Sequence, residues 1–219
     1  MDKNNIPEKQ DLILSSPKDL ILYPSLVSRG LDLANSILGL GNASLVGFNV
    51  NRSYYENGHP EYEHYYKNGK EIEICKEYYE NGQLFSEYAY KDGERDGIDN
   101  WYYENGQLQR EGFYKNDKED GVCKWFSEHG QLELEETYKD GEKNGVCRWY
   151  YENGQLEEEG FYKDGKLEGI FKMYYDNGQL HCETICKDGE FNGVCKWYSK
   201  NGQLLDEDNL KNGSLEGGV

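Results

Sequence analysis

Glutamate recurs at one position every 24 residues, at Glu63, Glu87, Glu111, Glu135, Glu159, Glu183 and Glu207. Carboxylates at a fixed spacing could form a ladder for hard cations or supply paired acid and base groups. Cys75, Cys123, Cys147 and Cys195 share a second repeat position, and His181, Cys182 and Cys186 are the best candidate for zinc. Nucleophilic catalysis is poorly supplied: His59, His64 and His129 fall in or near turn signals, and no serine or cysteine has a convincing base partner. Which of these chemistries is feasible depends on the elements that carry the side chains.

A recurring turn signal defines those elements. It stands at Asn57-Gly58, Asn81-Gly82, Asn105-Gly106, His129-Gly130, Asn153-Gly154, Asn177-Gly178 and Asn201-Gly202, spaced 24 residues apart. A second series of the same period holds Asn68-Gly69, Asp92-Gly93, Asn116-Asp117, Asp140-Gly141, Asp164-Gly165, Asp188-Gly189 and Asn212-Gly213. Asn-Gly and Asp-Gly favour two-residue type I′ hairpin loops, whose central residues both need positive φ. The chain therefore reads as mainly β, an elongated antiparallel β-hairpin meander of seven 24-residue repeats. At about 4.8 Å per strand it would extend on the order of 65–70 Å. Its glycines sit at hairpin tips, which is not the context of a phosphate-binding loop.

Two-residue loops make a register prediction. Arg52 should face Glu63, Lys76 Glu87, Lys124 Glu135, Arg148 Glu159, Lys172 Glu183 and Lys196 Glu207, while Asn100 faces Glu111 without a cation. Each such pair contributes roughly 0.2–1 kcal/mol. The glutamate row is then structural, because every member but one has a basic neighbour and its equivalents lie about 9.6 Å away, two strands over. The same spacing keeps Cys123 from Cys147, and Cys182 and Cys186 stand about 13 Å apart along a strand. We expect reduced thiols and no metal, cofactor or catalytic residues.

Alternation puts Cys147, Trp149 and Tyr151 on one face, joined by Leu156 and Tyr162. That apolar face collects Trp101, Trp125, Trp149 and Trp197. The other carries the ion pairs and a row of rings, Tyr54, Tyr78, Tyr102, Phe126, Tyr150, Tyr174 and Tyr198. Opposite the ring row lie variable positions: Glu61, Phe85, Gln109, Glu133, Glu157, His181 and Leu205. The rings could simply cover the aliphatic stems of Lys and Glu, or form a binding surface. For the second reading the candidate contact residues are Tyr102, Phe126, Tyr150, Tyr174, Glu133 and Glu157.

Composition agrees with a thin, folded sheet. A mean hydropathy of −0.98 argues against a thick core, while 20 Tyr and 4 Trp argue against disorder. Residues 1–50 form a separate leader whose apolar stripe, including Leu26, Leu33 and Ile37, predicts a helix capping the repeat domain at 51–219. The start of the chain lacks the basic and then apolar order of a secretory signal, which points to the cytoplasm. Residues 1–53 are neutral, so the whole net charge of −18 falls on the repeats. That field repels nucleic acid and anionic lipid and attracts basic proteins.

The unit Trp149-Tyr150-Tyr151-Glu152-Asn153-Gly154-Gln155-Leu156, followed by Tyr162-Lys163-Asp164-Gly165 and Gly169, resembles the bacterial variant of the MORN (membrane occupation and recognition nexus) repeat. The resemblance covers residues 54–219 and implies a binding protein without catalysis, since such proteins are commonly grouped as antitoxins or immunity proteins. The chain departs from the Gly-x-Gly spacing of the eukaryotic repeat. A basic nuclease or toxin suits the acidic surface as partner. Two rivals are a choline- or glycan-binding module built from aromatic hairpins, and a scaffold with several partners.

Overall fold

The computed structural model describes residues 48–67 and 72–215. The expected leader helix and the Asn68-Gly69 turn lie outside the described residues. Among those residues there is no helix, and the chain divides into two compact units. The first runs to Gln107 and includes Tyr114–Asp117, and the second holds Leu108–Phe113 and everything from Lys118.

In the first unit, β1 (Asn49–Tyr54), β2 (Pro60–Lys67), β3 (Ile72–Tyr78), β4 (Leu84–Lys91) and β5 (Glu94–Tyr102) pair antiparallel in chain order. The second unit holds β6 (Leu108–Lys115) up to Phe113, β7 (Lys118–Glu119), β8 (Gly121–Phe126), β9 (Leu132–Lys139), β10 (Glu142–Tyr150), β11 (Leu156–Lys163) and β12 (Lys166–Leu167). It ends with β13 (Gly169–Tyr174), β14 (Leu180–Lys187), β15 (Glu190–Phe191), β16 (Gly193–Tyr198), β17 (Leu204–Lys211) and β18 (Ser214–Leu215). Every pairing is antiparallel, and the short β12 and β15 are the first segments of strands that resume at a left-handed glycine, Gly169 or Gly193. Both units are thus hairpin meanders.

The two turn series are built differently. The second is type I′ as expected: Asp164 and Gly165 have φ of +49° and +77°, with Lys163 paired to Lys166. The first series is not. Tyr151 N–H donates to Gln155 O at 2.9 Å and Gly154 N–H to Tyr151 O at 2.8 Å, so residues 152–154 form a three-residue loop with only the glycine left-handed. Asn153 is selected for its amide. Its Oδ1 accepts from Gln155 N–H at 2.9 Å, and its Nδ2 donates to Asp176 O, one repeat on, at 2.7 Å.

Three loop residues in place of two shift the register by one, and a β-bulge shifts it back. Trp149 pairs with Glu158 but Tyr150 with Leu156, leaving Glu157 as the extra residue. The same step leaves Glu61, Phe85, Glu133, His181 and Leu205 unopposed. The variable positions therefore do not lie opposite the ring row, as an unbroken pleat implies. Glu61, Phe85, Glu133, Glu157, His181 and Leu205 are bulge residues.

Beyond the bulge the expected register holds. All six opposite-charge pairs are cross-strand partners. A division into one apolar and one charged face does not hold. Cys123, Cys147 and Cys195 of the Trp face are buried, while the ladder face of the second unit exposes Val122, Phe161, Ile170, Ile185 and Val194, with Ile170 61% accessible. These apolar side chains stand one pleat from the charged ladder residues, and Ile170 pairs directly with Ile185.

Candidate binding surface

Each cation of the ladder from Lys76 onward has a glutamate on both sides, while Arg52 on β1 faces Glu63 alone. Arg148 pairs with Glu159 on β11 and with Glu135 on β9, Nε reaching Glu159 Oε2 at 2.7 Å and Nη1 reaching Glu135 Oε1 at 3.0 Å. Lys172 and Lys196 are flanked by glutamates in the same manner. In the first unit Arg52 Nε lies 2.6 Å from Glu63, and Lys76, 2% accessible, lies 3.6 Å from Glu87. Carboxylates so occupied do not act as a cation ladder. Among the described residues no group of three or more His, Cys, Asp or Glu could hold a metal ion.

The ring row completes this ladder. Tyr78 Oη donates to Glu63 at 2.8 Å, Tyr102 to Glu87 at 2.7 Å and Tyr198 to Glu183 at 3.2 Å. Burial pushes the Tyr78 pKa far up, and the Glu63 charge adds to the shift. Tyr102, Phe126, Tyr150 and Tyr174 are half-buried.

The bulge residues take part in the other face. Phe85 packs between Tyr79 and Trp101, centroids 5.0 and 5.1 Å away, and His181 between Tyr175 and Trp197 at 4.3 and 5.6 Å. Glu61 accepts from Ser53 Oγ, which occupies the Trp position of its repeat, at 2.7 Å. The charge of Glu157 acts on Tyr151. Of the six candidate contact residues, the four rings therefore belong to the ladder face, while Glu133 and Glu157 sit at bulges.

A second tyrosine of the repeat stitches consecutive hairpins. Tyr55, Tyr79, Tyr151 and Tyr175 each donate through Oη to the carbonyl 23 residues on, at 2.6–2.8 Å. Asn57, Asn81, Asn153 and Asn177 repeat that 23-residue step through their amides.

This periodic geometry has a counterpart in a family model described as MORN repeat variant, which matches residues 50–68, 74–92, 95–116, 119–140, 143–164, 167–185 and 191–212. The chain belongs to this family. Its MORN repeats fall in a class that generally serves as protein- or membrane-binding modules. No curated protein matches the chain. Among the described residues no helix is long and apolar enough to cross a membrane.

Two buried carboxylates of these MORN repeats are not evident from the periodic pattern. Asp99, 1% accessible, receives Arg95 Nη1 at 2.7 Å and Trp101 Nε1 at 2.5 Å. Glu136, 4% accessible, receives the Lys143 ammonium and Tyr138 Oη. Asp99 could have been noticed, since it replaces the small cysteine of its slot; Glu136 stands opposite Cys147 and gives no such signal. Glu158, cross-strand from both Trp149 and Met173, is different: burial raises its pKa and the neighbouring Glu157 raises it further.

Proposed function

We propose that this MORN repeat protein is a non-enzymatic binding module that holds a basic protein against its bulge-bearing Trp face, as an antitoxin- or inhibitor-type partner of a nuclease or toxin. The observation that carries this reading is Glu157 and Glu158 beside Trp149. Buried Asp99 and Glu136 each have a cation at hydrogen-bond distance, Arg95 and Lys143, whereas Glu158 is raised by desolvation and by a like charge. A cationic side chain from a partner would relieve both effects and stack on the indole. Glu133 and Glu157 supply the charge at neighbouring bulges, and the half-buried rings of the ladder face hold the sheet that presents them. The net charge of −18 steers a basic partner and disfavours nucleic acid and anionic lipid.

The test is capture from the native cell on the immobilised full chain, beside a variant with Glu133→Lys and Glu157→Lys. A basic protein retained by the parent, released by salt and lost by the variant is the expected result. Equal retention by both chains, or recovery of only acidic proteins, would overturn the proposal. A glycan module would instead show quenching of its aromatic fluorescence by a saccharide or choline.

A further inference from the structure

Among the described residues the six cysteines are free thiols, yet two of them touch. Cys182 Sγ on β14 and Cys195 Sγ on β16 are 3.4 Å apart, with accessibilities of 3% and 2%. They are diagonal neighbours on the Trp face, since Cys182 pairs with Trp197, two residues beyond Cys195. The repeat accounts for the contact. The same 13-residue separation brings Arg110 Nη2 to 3.8 Å from Cys123 Sγ. Tyr62 stands at that offset from Cys75, and Leu134 from Cys147. A thiol fills both positions at the hairpin of β14 and β16.

We propose that Cys182 and Cys195 are a modification site, a dithiol that low-molecular-weight disulfides convert to a cross-strand disulfide. An S–S bond is about 2.05 Å long, so the sulfurs must approach by roughly 1.3 Å. One protein thiolate attacks the small disulfide and expels a thiolate. The second protein sulfur then attacks the mixed disulfide and expels the other. The two protein thiols lose two protons and two electrons, and two small-molecule thiols carry them away. Burial pushes the Cys182 thiol up, and its contact with Cys195 adds to the shift, so exchange waits on opening of the hairpin. The route is at hand, because β16 is covered on one side by β17, whose Leu204 and Leu205 are 53% and 66% accessible. Once formed, the bond joins the residue after His181 to the one two before Trp197, whose ring centroids are 5.6 Å apart, and so tethers that bulge residue.

The experiment incubates the full chain with oxidised glutathione, alkylates free thiols and maps the peptides, beside Cys195→Ser and Cys186→Ser variants. Expected are a loss of two hydrogens without a retained glutathione, a Cys182–Cys195 linked peptide, and a melting temperature raised by about 5 °C and restored by dithiothreitol. Cys186→Ser should keep all three and Cys195→Ser lose them. A linkage through Cys186, or glutathione adducts alone, would overturn the proposal. Should Cys195→Ser not fold, the linked peptide of the parent chain decides the matter by itself.

Discussion

The Tyr151 hydroxyl donates to the Tyr174 carbonyl at 2.7 Å, across 23 residues of sequence. The carbonyl stands beside a three-residue turn, where the partner of one strand end has been displaced by the extra loop residue. Replacing Tyr151 by Phe keeps the ring and deletes the bond. Urea denaturation should show a loss of about 1 kcal/mol, with Tyr151→Ala losing distinctly more.

The ladder predicts an order among its cations. Lys76 is buried against Glu87, whereas Lys196 is 4.0 Å from a half-exposed Glu207. Lys76→Ala should cost about 3–5 kcal/mol, because it leaves a desolvated carboxylate behind. Lys196→Ala should cost less than about 1 kcal/mol. Equal costs in chemical denaturation would contradict the burial of the first pair.

Gly165 separates backbone strain from crowding. A Cβ there meets nothing within 4 Å, but φ is +77°. Gly165→Ala should lose about 1–2 kcal/mol by conformation alone. At Asn116-Asp117 the same geometry exists without glycine, and Asp117 Oδ1 accepts from Arg95 N–H at 2.7 Å. Asp117→Gly should therefore change the thermal midpoint little, relief of strain being offset by the lost bond.

Glu158 gives a pH dependence of known sign. Its folded-state pKa is raised, so its contribution is most favourable below the unfolded value near 4.5 and is lost as pH rises through the folded one. Glu158→Gln should melt higher than the parent at about pH 8, and the difference should close towards about pH 4. A gap independent of pH would mean that the charge is not the cause.

How much of this was legible follows from particular residues. Arg148 opposite Glu159 was readable because the three-residue loop and the bulge displace the register by equal and opposite amounts. The face of Glu157 was not, because alternation assumes an unbroken pleat and only backbone hydrogen bonds reveal the bulge. Glu135, the second partner of Arg148, was hidden because the hairpin between them carries its own irregularity at Gly145. The ring row was ambiguous until Tyr78 and Tyr102 were seen to direct their hydroxyls at ladder carboxylates. Of the six candidate contact residues, the pattern grouped on one surface what the fold distributes between two.

The stitches from Tyr151 and Asn153 both reach one period forward, and their counterparts at Tyr175 and Asn177 do likewise. An additional copy spliced in at this boundary would receive and donate the same bonds as those beside it. The array can accordingly lengthen or shorten by whole modules during evolution, and each duplication brings one unopposed side chain free to diverge without disturbing the backbone.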